Sequence, residues 1–252
     1  MNTLPAETDE ILVDVAGAVG VITLNAPERR NALTPQMARR LTQALDALDE
    51  DERVGAVVIQ GNGPTFCAGA HRQTLLDAEE DPAQELVYSA LSDIYAAFVR
   101  AGTIGVPTIS AIQGTAVGAG LNLALSTDLR ILGTEARLRS AFSQIGLHPG
   151  GGHFSLLARA AGREATAAAA LFGEDIDAQR AVQLGLAWEA VPDPDVRPRA
   201  MELAGRVAAD RDLARALVRS FRLQTQQGPL PLDVALQLER PSQMWSMRRK
   251  RA

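Results

Sequence analysis

One cysteine, Cys67, stands in a chain of 252 residues. An intramolecular disulfide framework is thereby excluded, and a reducing compartment is expected. Aromatic residues are scarce as well, at 4%, while hydrophobic residues reach 46%. The core must then be built from Ala, Val, Leu and Ile. No apolar run approaches the roughly 20 residues of a membrane span. The N-terminal stretch MNTLPAETDE is acidic and lacks an apolar run, so no secretory signal is read and a cytoplasmic location is expected. A net charge of −5 leaves no overall basic field for nucleic acid. Basic residues gather only at the end, in MRRKRA. Repeats and low-complexity linkers are absent too, and the length suits one large α/β domain or two smaller ones.

What is present is an alternation of short apolar runs and helical patterns. Residues 11–15 and 19–24 flank a glycine-containing turn and predict a β-hairpin. Thr34 followed by Pro35 predicts a helix start, with Thr as N-cap and Met37, Leu41, Ala44, Leu45 and Leu48 on one apolar face. AVVIQ (56–60) reads as a buried strand, and residues 129–132 as another. Residues 71–83 read as a polar, acidic, mobile stretch. Residues 85–100 predict a helix. Helices are then expected at about 152–163, 163–172, 177–184, 196–210, 212–227 and 230–247, with a short strand at 187–191. The pattern favours parallel strands in a core over residues 1–190, followed by a helical C-terminal region over 191–252.

The most informative stretch is 111–128, AIQGTAVGAGLNLALSTD. A β-rich run enters a loop with glycines at 114, 118 and 120, and an apolar helix follows. Glycine lets a ligand approach the backbone closely. The first amides of a helix lack partners within it, so this arrangement suits developing negative charge. Two further glycine loops follow strand or strand-like runs, FCAGAH (66–71) and IGLHPGGGH (145–153).

Together with PERRNAL (27–33) and ALQLERPSQM (235–244), these segments resemble the crotonase (enoyl-CoA hydratase/isomerase) superfamily over nearly the whole chain. The resemblance implies a crotonase (ClpP-like) α/β fold of repeated ββα units. These form two near-perpendicular sheets, with a C-terminal helical region that drives trimerisation. It implies acyl-CoA or enoyl-CoA as substrate, with coenzyme A part of the thioester and no separate cofactor or metal. A homotrimer or a dimer of trimers is expected, with no nucleic acid partner. Carried across by motif, the backbone donors to the thioester oxygen are Ala70 and Ala119. Arg29, Arg30, Asn31, Ala32, Ala68, His71, Val117, Gly118, Phe142 and Leu147 would line the substrate. Arg29 and Arg30 read either as phosphate contacts or as solvated loop charges.

The chain departs from the family's pattern where protons are moved. Hydratases of the family place one glutamate just after the second glycine loop; Asn122 stands there. A second glutamate belongs to a Pro-Glu pair, replaced here by Ala141 and Phe142. Related isomerases carry an aspartate in the third loop, where Gly150 falls. Amide and phenyl groups do not exchange protons near neutral pH. All three histidines, His71, His148 and His153, lie in the motif loops. Either His71 or His148 replaces the missing acid/base groups, or the three cap and pack the loops. Cys67 reads as a buried filler and Asp128 as a tie between helix and strand. Trp188 and Trp245 read as packing or subunit-contact residues. Arg248, Arg249, Lys250 and Arg251 read as phosphate contacts or as a solubilising tail. The resemblance thus implies a hydratase/isomerase-like lyase or isomerase. Open alternatives are a non-catalytic acyl-CoA carrier, or a thioesterase, decarboxylase or double-bond isomerase in which Asn122 orients water or substrate and a histidine moves the proton.

Overall fold

The computed structural model describes residues 9–81, 83–225 and 231–249. Strands β1 (Ile11–Ala16) and β2 (Val19–Leu24) form the expected antiparallel hairpin, with Ile11 opposite Leu24. Helix α1 (Pro35–Glu50) starts where the capping signal lies, and Thr34 Oγ1 accepts the Met37 N–H at 3.0 Å. Its face of Met37, Ala38, Leu41, Ala44, Leu45 and Leu48 is buried. Strand β3 (Ala56–Gly61) lies parallel to β2. The expected mobile stretch after residue 71 is instead helix α2 (Arg72–Glu80). The His71 side chain starts it: Nδ1 accepts the Gln73 N–H at 3.3 Å. Polar composition hid this helix because its order comes from the cap and from packing against α3 (Glu85–Thr103).

Strand β4 (Thr108–Ile112) is wholly buried and leads into a short strand β5 (Thr115–Val117), then helix α4 (Ala119–Ser126). Strands β6 (Leu129–Gly133) and β7 (Arg137–Arg139) follow, then helix α5 (His153–Ala170). The two helices expected at 152–163 and 163–172 are this single run, broken at Gly162 where φ is +78°. Strand β8 (Ile176–Asp177), helix α6 (Ala178–Gln183) and strand β9 (Glu189–Val191) complete the sheets. One sheet has six strands in the order β1-β2-β3-β4-β6-β9, parallel beyond the first pair. The other joins β5, β7 and β8. β5, β7 and β8 have three, three and two residues, too few to show a period of their own.

Helices α7 (Val196–Ala208), α8 (Arg211–Thr225) and α9 (Leu232–Arg249) form the C-terminal region. Val196, Ala200, Ala204 and Ala208 of α7 pack against Val58, Ile109 and Ile131 of the larger sheet. Helix α8 is fastened by a buried ion pair. Arg222 donates to Asp128 at 2.6 and 2.8 Å, and also to the carbonyls of Ile104 and Val106. Asp128 accepts the Thr108 N–H and hydroxyl as well, at 2.8 and 2.9 Å, so it ties β4, β6 and α8 together. Among the described residues no helix is long and apolar enough to cross a membrane.

Candidate active site

Two isolated parallel bridges hold the first glycine loop: Leu33 of the 27–33 segment pairs with Ala70, and Cys67 pairs with Ala116 of the second glycine loop. Leu33 N–H donates to Gly69 O at 2.7 Å, and His71 N–H donates to Leu33 O at 2.9 Å. In a parallel ladder this pattern turns the Ala70 N–H to the opposite side. Cys67 brackets Ala116 in the same way: its N–H donates to Thr115 O at 3.2 Å and its carbonyl accepts the Val117 N–H at 3.0 Å. Ala119 is the first residue of α4, where an amide has no helical acceptor. Among the described residues neither the Ala70 nor the Ala119 N–H has a protein acceptor. Gly69 brings the two loops together: a Cβ there would lie 2.9 Å from Val117 O and 3.6 Å from Ala119 N. Two unpaired donors on adjoining loops can receive one oxygen that carries developing charge.

The loop around PERRNAL is built on Asn31, whose side chain is fully buried. Its Oδ1 accepts the Ala26 N–H at 2.8 Å, and its Nδ2 donates to Asn62 O and Thr65 O at 2.9 and 2.8 Å. That side chain is spent on the loop. Ala32 is buried, and Ala68 donates its N–H to Arg30 O at 2.9 Å. The two arginines part company. Arg29 is held by Glu10 at 2.6 Å, Glu28 at 3.2 Å and Ala32 O at 3.1 Å. Arg30 is exposed, with no ion pair to its guanidinium among the described residues.

The third loop supplies a buried polar chain. Gly151 and Gly152 take φ of +65° and +77°, which places His153 at the first position of α5. His153, Asn122 and Ser140 are each almost fully buried. His153 Nδ1 lies 2.7 Å from Asn122 Oδ1, and Nε2 lies 2.8 Å from Ser140 Oγ. Asn122 Nδ2 donates to Gly150 O at 3.0 Å. The amide therefore turns its oxygen to His153, so Nδ1 carries the proton and Nε2 accepts the Ser140 hydroxyl. Burial pushes the His153 pKa down from 6.5 to about 4. The ring is neutral at pH 7. Phe142 packs its edge on it, 4.9 Å between centroids, and the same ring lies 3.6 Å from where a Gly118 Cβ would be. Ala141 between Ser140 and Phe142 is a strained, non-glycine residue at φ +61°. Leu147 donates its N–H to Phe142 O at 3.0 Å and is half-buried, as is Val117.

The other two histidines do less. His71 caps α2 beside Ala70. His148 is exposed and donates from Nδ1 to Pro149 O at 2.8 Å. Cys67 is a buried filler, with Sγ 3.1 Å from Asn31 O and burial pushing its pKa up to about 12. Among the described residues no group of three His, Cys, Asp or Glu could hold a metal ion. A groove of about 700 Å³ adjoins Gly151 and is lined in part by Tyr95, Phe98, Leu125, Leu156 and Phe221.

The family description Enoyl-CoA hydratase/isomerase matches residues 14–246. The chain belongs to the enoyl-CoA hydratase/isomerase family. The probable enoyl-CoA hydratase EchA14 of Mycobacterium tuberculosis is 42% identical, covering 90% of this chain and 87% of that relative. The 1,2-epoxyphenylacetyl-CoA isomerase of Escherichia coli is 33% identical, covering 92% and 88%. Among solved structures, an enoyl-CoA hydratase from Polaromonas sp. JS666 superposes with a TM-score of 0.86 at 29% identity, covering 94% of this chain and 91% of that one. The crotonase fold expected from the motifs is the fold observed.

Within this enoyl-CoA hydratase/isomerase fold, the sequence pointed to His71 and His148 as replacement acid/base groups. The structure buries neither in the polar chain; His153, read as a capping or packing residue, is its centre. Ser140 carried no signal at all. Its link to His153 spans thirteen residues across a loop, a spacing no helical or strand period encodes. Arg249 of the basic tail pairs with Asp210 at 2.9 Å and covers the Trp245 ring, while Lys250 and Arg251 lie outside the described residues.

Proposed function

We propose that this protein is an acyl-CoA enzyme that polarises a thioester carbonyl between the Ala70 and Ala119 N–H groups and shifts a proton on the neighbouring carbon. Double-bond migration is the reaction class that fits best. The observation that carries this reading is the pair of unpaired backbone donors on loops joined at Gly69. Hydration fits less well. Asn122 is almost fully buried, its oxygen is held by His153 and its nitrogen by Gly150 O, and as an amide it has no proton to exchange with a water near neutral pH. Phe142 makes the opposite wall apolar. Of the two arginines in the 27–33 segment, Arg30 is the one left available to a CoA phosphate. The groove beyond Gly151 has apolar walls from Tyr95, Phe98, Leu125, Leu156 and Phe221 that suit an acyl chain, and Arg130, Arg159 and Arg222 also line it. The relatives include proteins named as hydratases and one named as an isomerase, which is consistent with a thioester site shared by different reactions. Self-association through the C-terminal helices belongs to this reading; Leu232, Leu236, Trp245 and Met247 are exposed there.

A second reading is an acyl-CoA carrier, favoured by an amide at Asn122 that is fixed by His153 and Gly150 O and carries no exchangeable acid or base. Ala119→Pro separates the two. Proline removes the N–H yet is tolerated at the first helical position, and Gly118 at ψ −111° avoids the α region that a following proline disfavours. With a panel of enoyl-CoAs followed by mass spectrometry, turnover is expected in the wild type and a loss of about 10²–10³-fold in the variant. Tight binding without turnover of any member favours the carrier.

A further inference from the structure

We propose that Ser140, His153 and Asn122 form the proton-handling unit of this site: Ser140 Oγ meets the α-proton of the bound acyl group, and His153 Nε2 receives the serine proton. The inference rests on the acyl-CoA reading above and supplies the acid/base that the missing carboxylates leave open. Hydrogen-bond direction is fixed along the whole chain. Gly150 O can only accept, so Asn122 Nδ2 donates to it and Asn122 Oδ1 accepts from His153 Nδ1. The neutral ring then offers its lone pair at Nε2 to the Ser140 hydroxyl at 2.8 Å. Ser140 Oγ keeps its own lone pairs and, among the described residues, has His153 Nε2 as its hydrogen-bond partner. Asn122 plays the part of the orienting third group in a nucleophile–histidine–acceptor array, holding one tautomer without supplying charge.

The unit lies against the loop that carries the second backbone donor. Gly118 N–H donates to Arg139 O at 2.9 Å, and a Cβ on Gly118 would lie 3.5 Å from Ser140 O. Ala141 at φ +61° turns the chain directly after Ser140. Strain held at a functional turn is a recurrent device. The proton bookkeeping closes without a further reactant. The α-carbon–hydrogen bond breaks and its proton joins Ser140 Oγ, while the original hydroxyl proton moves to His153 Nε2. The electron pair becomes an enolate whose oxygen faces Ala70 and Ala119. Return of the proton to a different carbon of the conjugated enolate migrates the double bond. Among the described residues no charged group hydrogen-bonds to the ring. Its neighbours are Asn122 of α4, Ser140 and Phe142 after β7, and Phe154 of α5, with His148 across Phe154.

The test uses the full-length protein with trans-3-hexenoyl-CoA in deuterium oxide. Calorimetry reads binding, and mass spectrometry reads α-proton exchange and double-bond position. The wild type is expected to bind and exchange. Ser140→Ala and His153→Gln are each expected to lose about 10²-fold or more in exchange with little change in affinity. Asn122→Asp raises the basicity of His153, so the acid limb of its exchange rate is expected at higher pH than in the wild type, a change that a packing role would not produce. Exchange at the wild-type rate in folded Ser140→Ala or His153→Gln overturns the proposal. So does a wild type that binds without exchange. Should His153→Gln fail to fold, Ser140→Ala, which deletes one oxygen, decides alone. Absence of binding by the wild type overturns the acyl-CoA reading itself, and the relay with it.

Discussion

Lowering the pH should unfold this protein partly through one ring. His153 is buried among uncharged neighbours, and burial holds its pKa near 4 rather than 6.5. The unfolded chain therefore binds more protons than the folded one between those two values, and stability falls as pH falls. The contribution is fully present above about pH 6.5 and is lost as pH drops through the folded value. The gap corresponds to about 3 kcal/mol at pH 4, a large share of the roughly 5–15 kcal/mol that holds a typical domain together. Glu202, held below the usual carboxylate range by hydrogen bonds from Arg199 and Arg206, also gives up stability as pH falls, so the comparison must be differential. Denaturant unfolding of wild type and His153→Gln at pH 7, 5.5 and 4 isolates the ring. The wild-type advantage at pH 7 should shrink by about 3 kcal/mol at pH 4. Parallel stability curves for the two proteins would refute a neutral, desolvated His153.

Three other perturbations follow from the packing. Arg222→Ala strips Asp128 of its partner and frees two carbonyls, and should cost about 3–5 kcal/mol in chemical denaturation. Arg30→Ala should weaken binding of a CoA thioester roughly 5-fold by calorimetry while leaving the melting temperature alone. Arg29→Ala should do the reverse, because Arg29 holds Glu10 and Ala32 O. Ala141→Gly relieves a left-handed alanine and should raise stability by about 1 kcal/mol in thermal unfolding; an unchanged or lower value contradicts strain at that turn.

Much of this was legible in the chain. The Thr34–Pro35 start of α1 and the hairpin at its N-terminal side follow from local capping and alternation. The free first amide at Ala119 was legible because a strand, a glycine loop and an apolar helix in succession leave it without a helical acceptor. What local pattern did not carry was contact between distant loops. Ser140 and His153 meet only because two left-handed glycines aim the start of α5 at the end of β7. Arg29 and Arg30 are identical in type and adjacent in sequence, yet Glu10, nineteen residues upstream, holds only the first. Helix α2 escaped notice because its cap is a histidine rather than Ser, Thr, Asp or Asn.

The most direct measurement is the carbonyl vibration of a bound thioester. An acyl-CoA labelled with carbon-13 at the thioester carbonyl is added to the protein, and isotope-edited infrared difference spectra are recorded. Two donors at Ala70 and Ala119 should move the bound carbonyl band to lower frequency than in water, and Ala119→Pro should return it part of the way. A bound thioester whose carbonyl band stays at its solution position would contradict the account.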